Sequence, residues 1–226
     1  DECRAMNLQL LPPDVNHGRF HFSVDNDDSV IYGLGAIKGL GEGPVQNIIE
    51  SREAGGPFKD LFDFCARVDG RKVNKRALEA LIKSGALDQI GPQGDVGYRR
   101  AVMHLCMDDA IKKAEQDARN VNSGMTDLFA DNSRENVSTN PYSDYLQTRP
   151  LNIRERLYGE KETLGLYLTG HPIDEYAEEL ACMLPNRIND LRVNKEKTTI
   201  YGMVIGMRVM KNKRGENVAF LTLDDK

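Results

Sequence analysis

The sequence predicts a mainly helical α+β chain. Apolar residues recur at helical spacing between Pro44 and Asn120, with asparagine and glycine at the expected starts and stops. After Thr198 the period changes to β-branched and apolar runs. Between them, Val121 to Pro150 has no hydrophobic periodicity and is rich in Asn, Ser, Asp and Thr.

The elements follow in order. Phe20–Val24 and Val30–Tyr32 are strand formers flanking the polar turn Asp25–Ser29, which predicts a β-hairpin. Pro44 opens a helix carrying Val45, Ile48 and Ile49, and Gly55-Gly56 stops it. Leu61–Val68 is a second short helix. Asn74 caps a third, with Leu78, Leu81 and Ile82 on one face and Gly85 at its end. A longer helix spans about 98–120. Helical pattern resumes at Ile153, breaks at Gly170-His171-Pro172 and continues from Asp174 to Leu184. Thr198–Met210 and Val218–Leu223, joined by the polar loop 211–217, read as the start of a β-barrel. The opening Asp1–Met6 reads as mid-helix and the last residues as mid-strand, so both ends are expected to be cuts.

The 226 residues allow one large domain or a few small modules. No apolar run approaches the ~20 residues of a membrane span, and no secretory signal opens the chain. Cys3, Cys65, Cys106 and Cys182 have no zinc-ligand spacing, and a reducing cytoplasm is the expected setting. The net charge of −5 excludes a wholly basic nucleic-acid coat. Any such contact must come from local patches.

One such patch is Ala36-Ile37-Lys38-Gly39-Leu40-Gly41-Glu42-Gly43-Pro44, which has the form helix, Gly-hydrophobic-Gly hairpin, helix. Glycines let a phosphate approach the backbone, Leu40 anchors the hairpin, and the next helix N-terminus points its N–H groups outward. Such a grip reads backbone, not bases. A weaker copy lies at Leu81-Ile82-Lys83-Ser84-Gly85-Ala86-Leu87-Asp88, without the second glycine. From Arg67 to Lys83, six basic residues (Arg67, Arg71, Lys72, Lys75, Arg76, Lys83) face Asp69 and Glu79, a local excess of four positive charges. The plain alternative is a tight turn beside a solvated basic face.

Three separated runs resemble one family: Leu11–Asn16, Tyr32–Gly41 and Gly159–Pro172 are similar, in order, to the bacterial DNA polymerase III alpha subunit, a C-family replicative polymerase. The resemblance implies an internal to C-terminal fragment: the end of the fingers domain (1–33), a tandem helix-hairpin-helix region (34–120), a linker (121–150), a helical connector (151–197) and the first strands of an OB-fold (198–226). It places a clamp-binding peptide at Met125-Thr126-Asp127-Leu128-Phe129, with Met125 where such peptides usually carry Gln. The alternative for Leu128 and Phe129 is a hydrophobic latch. Arg208, Lys211, Lys213 and Arg214 would contact single-stranded nucleic acid, and Tyr201 and Phe220 fit either stacking rings or core positions.

The implied partners are primer-template DNA, the sliding clamp and other subunits of the replicative holoenzyme, without a membrane. The implied activity is DNA-directed DNA synthesis by the full-length protein. The metal-binding carboxylates of such a polymerase are not found in this sequence: Asp25–Asp28 suits a turn, and His17, His21, His104 and His171 suit packing or turns. No cofactor is expected in the fragment, while magnesium is expected of the whole polymerase. Two other readings are a stand-alone helix-hairpin-helix repair adaptor and a helical interaction module without a DNA role.

Overall fold

In the computed structural model, which describes residues 3, 6–26, 28–122, 140–183, 187–193 and 197–226, helices start and stop at their capping residues. Helix α1 (Glu42–Gly55) follows extended Gly41 and ends at Gly56, whose φ is 77°. Asp60 accepts the Asp63 N–H at 2.8 Å and opens α2 (Leu61–Arg67). Asn74 accepts the Ala77 N–H at 3.0 Å and opens α3 (Lys75–Ser84), which Gly85 closes in the left-handed region at φ 86°. The long helix is α4 (Val96–Asn122). Asn152 and Glu155 form a reciprocal capping box at the start of α5 (Ile153–Leu164).

Contacts divide the chain into two units, residues 1–168 and 169–226. The module boundaries expected at 33, 120 and 150 all fall inside the first. Its core runs continuously from Val15 and Tyr32 through Leu40, Phe64, Leu81 and Met103 to Tyr142 and Leu164. Two fasteners hold it. The Asn16 amide pairs with the backbone of Phe58 in both directions, at 3.0 and 2.8 Å, while Val15 N–H donates to Ala86 O. Farther along, the Tyr142 hydroxyl donates to Ile90 O at 3.0 Å and accepts the Leu61 N–H at 2.9 Å. Residues 140–151, expected in a linker and the start of a connector, are therefore bound to the body; Tyr145 to Asp109 and Leu151 to Gly97 add to this.

The expected hairpin is present as β2 (Ser23–Asn26) and β3 (Ser29–Ile31), but its first strand starts at Ser23 rather than Phe20. Phe20 instead gives its carbonyl to Gly35 N–H. A strand with no local signal, β1 (Gln9–Leu11), pairs in parallel with β3, giving the order β1-β3-β2. Of the opening run expected to be helical, Cys3 and Met6 alone are described, and Met6 with Asn7 lies in a turn.

Two helix expectations need correction. The element before the glycine hairpin is one 3-10 turn, Leu34–Ala36, because Gly33 and Gly35 flank Leu34 and leave too little helix-forming sequence. Helix α5 stops at Gly165, which takes φ 79° and closes the helix five residues before Gly170. In the second unit a 3-10 turn (Pro172–Tyr176) leads into α6 (Ala177–Met183), and β4 (Met203–Lys211) pairs antiparallel with β5 (Asn217–Asp224). The chain is a mainly helical α+β protein.

Candidate nucleic-acid interface

The first glycine hairpin is open where a phosphate would need it to be. Gly39 takes φ 91°, a conformation that requires glycine, whereas Gly41 is extended and Gly43 lies in the first turn of α1. Among the described residues, a Cβ on any of the three would meet nothing within 4 Å. Leu40 is buried and pins the turn to the core, as expected. Pro44 has no N–H and Val45 N–H is bonded to Gly41 O, so the outward donors of the helix start are Glu42 and Gly43. The exposed Glu42 carboxylate complements the same helix end and would have to swing aside for a phosphate.

The basic run is sorted by its contacts. Asp69 N–H donates to the Asn47 side chain at 2.8 Å, which seats the Asp69–Lys72 turn against the second turn of α1. Arg71 and Lys72 are exposed on that turn, beside the hairpin's own helix, with Arg71 at 3.9 Å from Asp69. Arg76 is exposed, and Lys75 is exposed but pairs with Asp108 at 2.6 Å. Arg67 does not belong to this surface: it donates to Ser51 O and Gly56 O, pairs with Asp63 and lies over Phe58. Lys83 bridges Glu79 and Glu162 at 2.9 and 3.0 Å, and its bond to Glu79 leads the effects that raise its pKa. The local positive excess is therefore smaller than the raw count.

The second hairpin copy is closed. Ser84 is fully buried, its hydroxyl donating to Leu81 O, and a Cβ on Gly85 would strike the Arg100 guanidinium and Asp88. The expectation that Ser84 and Gly85 present a phosphate site is corrected by that contact. Arg100, itself buried, holds Asp88 at 2.8–3.1 Å and Glu160 at 3.0 Å. Burial pushes the Asp88 carboxyl above the usual range, more than the bonds to Arg100 pull it down. Burial also works against the Arg100 charge, but the bonds and charge of Asp88 and Glu160 outweigh it and raise its pKa. Nothing in the sequence pairs these three residues, which stand at positions 88, 100 and 160.

In the second unit, register places Arg208 directly opposite Phe220, with Gly206–Thr222 and Met210–Val218 on the same face. Gly206, Arg208, Met210, Phe220 and Thr222 line a shallow depression of about 470 Å³ that the missing side chain of Gly206 helps to open. Phe220 is 58% exposed and Tyr201 half-buried, so of the two rings Phe220 is the one on offer. Lys211, Lys213 and Arg214 are exposed at the hairpin tip, where the Asn212 side chain accepts the N–H groups of Arg214 and Glu216. Met125-Thr126-Asp127-Leu128-Phe129 lies outside the described residues.

A family model described as a helix-hairpin-helix motif matches residues 7–95, which contain both hairpin copies and the basic turn. Full-chain relatives point the same way. The DNA polymerase III alpha subunits of Pseudomonas aeruginosa, Vibrio cholerae and Escherichia coli are 49%, 46% and 44% identical, each match covering 100% of this chain. This chain is homologous, end to end, to a segment of the DNA polymerase III alpha subunit. It spans about a fifth of the length of the polymerase subunits it matches, 19–20%. Among the described residues no three His, Cys, Asp or Glu side chains come together as a metal site. Among the described residues, no helix is long and apolar enough to cross a membrane.

Proposed function

We propose that this chain is the part of a replicative, DNA-directed DNA polymerase that grips duplex DNA by its backbone and recruits the sliding clamp, while the nucleotidyl transfer and its magnesium ions belong to other parts of the protein. The observation that carries the first half is the open Gly39–Gly43 hairpin at the start of α1, flanked by exposed Arg71 and Lys72. Backbone donors, a helix N-terminus and two cations on one edge suit a run of phosphates and read no sequence. Similarity along the whole of this chain to a fifth of the polymerase subunits favours this over a stand-alone repair adaptor or an interaction module without DNA.

The clamp half rests on Met125–Phe129. A short peptide carrying Leu128 and Phe129 suits an apolar pocket on a ring-shaped clamp, and tethering raises the enzyme's effective concentration at the primer end. Met125 in place of Gln removes one amide contact. A soluble, cytoplasmic setting and membership in a multi-subunit holoenzyme accompany this reading.

The Arg208–Phe220 face supports a second, compatible site for single-stranded nucleic acid, with β4 and β5 as the first strands of an OB-fold. The deciding experiment is binding of the 226-residue chain to a labelled primer-template at low and moderate salt, with and without clamp, for wild type and Phe129→Ala. The expected result is salt-sensitive DNA binding in both proteins and clamp binding in wild type alone. Wild type that binds neither partner overturns the reading.

A further inference from the structure

The glycine hairpin does not stand by itself: the end of α5 supports it from behind. Every α-helix ends with carbonyls that have no partner inside the helix. In α5 two of these, on Thr163 and Leu164, are satisfied by the segment leading into the hairpin. Lys38 N–H donates to Thr163 O at 2.8 Å, one residue before Gly39. The Tyr32 hydroxyl donates to Leu164 O at 3.0 Å from a fully packed ring. Burial raises the Tyr32 pKa, which keeps the hydroxyl protonated as a donor. The position of α5 is in turn fixed by Glu160 on Arg100 and by Glu162 on Lys83.

These contacts bring together residues 32–38 and 160–164, more than a hundred positions apart in sequence. Along Gly159–Gly165, Gly159 packs its bare Cα against Lys83, Glu160 meets Arg100, the Thr163 carbonyl accepts from Lys38 N–H and the Leu164 carbonyl from the Tyr32 hydroxyl. Gly39 sits at the pivot. Among the described residues nothing comes within 4 Å of a Cβ built on Gly39, whose φ is 91°. Buried Leu40 pins the turn on one side of this pivot, and what holds Lys38 fixes it on the other.

We propose that α5 is a positioning element of the backbone-gripping hairpin, and that Tyr32, through its bond to Leu164, is a positioning residue for DNA binding. This rests on the reading that the Gly39–Gly43 hairpin contacts DNA. Tyr32 touches no phosphate; it holds the α5 end where Thr163 fixes the Lys38 amide, and so sets the aim of the Gly41–Gly43 backbone.

The test uses the 226-residue chain, a labelled primer-template and amide hydrogen exchange at Lys38. Tyr32→Phe keeps the ring and removes the donor. It is expected to weaken DNA binding about fivefold, the fold-change that corresponds to one net intramolecular hydrogen bond. The salt slope should stay unchanged, since no charge is lost, and Lys38 exchange should speed up. Tyr145→Phe, which deletes a tyrosine bond to Asp109 elsewhere on the same unit, is expected to bind as wild type does.

A second measurement needs no variant. Coupling is reciprocal, so saturating DNA should slow Lys38 exchange in the wild-type chain. Tyr32→Phe binding as tightly as wild type while Lys38 exchanges faster overturns the proposal. So does Lys38 exchange that ignores DNA in wild type. Wild type that binds no DNA removes the backbone-gripping reading itself, a result distinct from either of these.

Discussion

Arg100 closes on Asp88 through contacts of 2.8, 3.0 and 3.1 Å, and the pair fills the space beside Gly85 that an open hairpin would leave to a ligand. With Glu160 on its other nitrogen, Arg100 ties the end of α3, the turn at Asp88, α4 and α5 into one body. A buried ion cluster of this kind is worth little against a well-packed apolar substitute, but removing one member is expensive because the others stay buried and charged.

Arg100→Met should therefore destabilise the first unit by about 3–5 kcal/mol in urea unfolding. The pH dependence has a definite sign. The folded-state pKa of Asp88 is raised above 3.8, so its proton binds more readily in the folded state. That contribution is complete below the unfolded value and fades as pH rises through the folded one. Without Arg100 the Asp88 carboxyl loses the charge that pulls its pKa down, and the deficit against wild type should shrink as the pH falls from neutral. A deficit that stays constant across that range would show that Asp88 does not titrate there.

Gly39 and Gly41 look alike in sequence and differ in backbone. Gly39→Ala forces a Cβ onto φ 91° and should cost about 1–2 kcal/mol of stability. Gly41→Ala occupies extended backbone with open space around it and should change stability by less than about 0.5 kcal/mol. Both methyls intrude where a phosphate would approach, so both variants should lose DNA affinity. Thermal unfolding alongside anisotropy separates the two effects; Gly41→Ala with unimpaired DNA binding would move the contact elsewhere.

What the sequence showed was mostly local. Asn74, Gly56 and Gly85 marked helix ends because capping depends on one side chain and a few neighbouring amides. The β2–β3 hairpin was legible from its turn. Strand β1 was not, since three residues before Pro12-Pro13 find their partners twenty positions away. The Arg100–Asp88–Glu160 cluster was invisible for the same reason: on a long helix, Arg99-Arg100 reads as a solvated pair. Arg67 was counted as surface charge because nothing nearby reveals that Ser51 and Gly56 offer it their carbonyls. The open hairpin was readable from composition, but its closed copy at Gly85 required the long-range packing.

Thiol reactivity offers a check on this core. Burial pushes both Cys65 and Cys106 up to about 12, so at pH 8 only about one thiol in ten thousand is ionised at either site. Cys182 is exposed. Ellman's reagent should label Cys182 rapidly in the native chain and reach Cys65 and Cys106 only as urea unfolds the first unit. Fast native labelling of Cys106 would mean that α4 is not packed as described.

Salt dependence distinguishes the open hairpin from the closed one. Each phosphate contact adds about 0.9 to the slope of log K against log salt on B-form DNA. Lys72→Ala and Arg71→Ala should each lower the slope by about that amount, because both side chains are exposed beside α1. Lys83→Ala should leave it unchanged, since Glu79 and Glu162 already hold that charge. Lys75 falls between: it is exposed, but DNA would have to draw it from Asp108. The measurement is the affinity of each variant for one primer-template from low to moderate salt. If Lys83→Ala lowers the slope as much as Lys72→Ala, the second copy carries a phosphate after all, and the Lys83 bridges must open on binding.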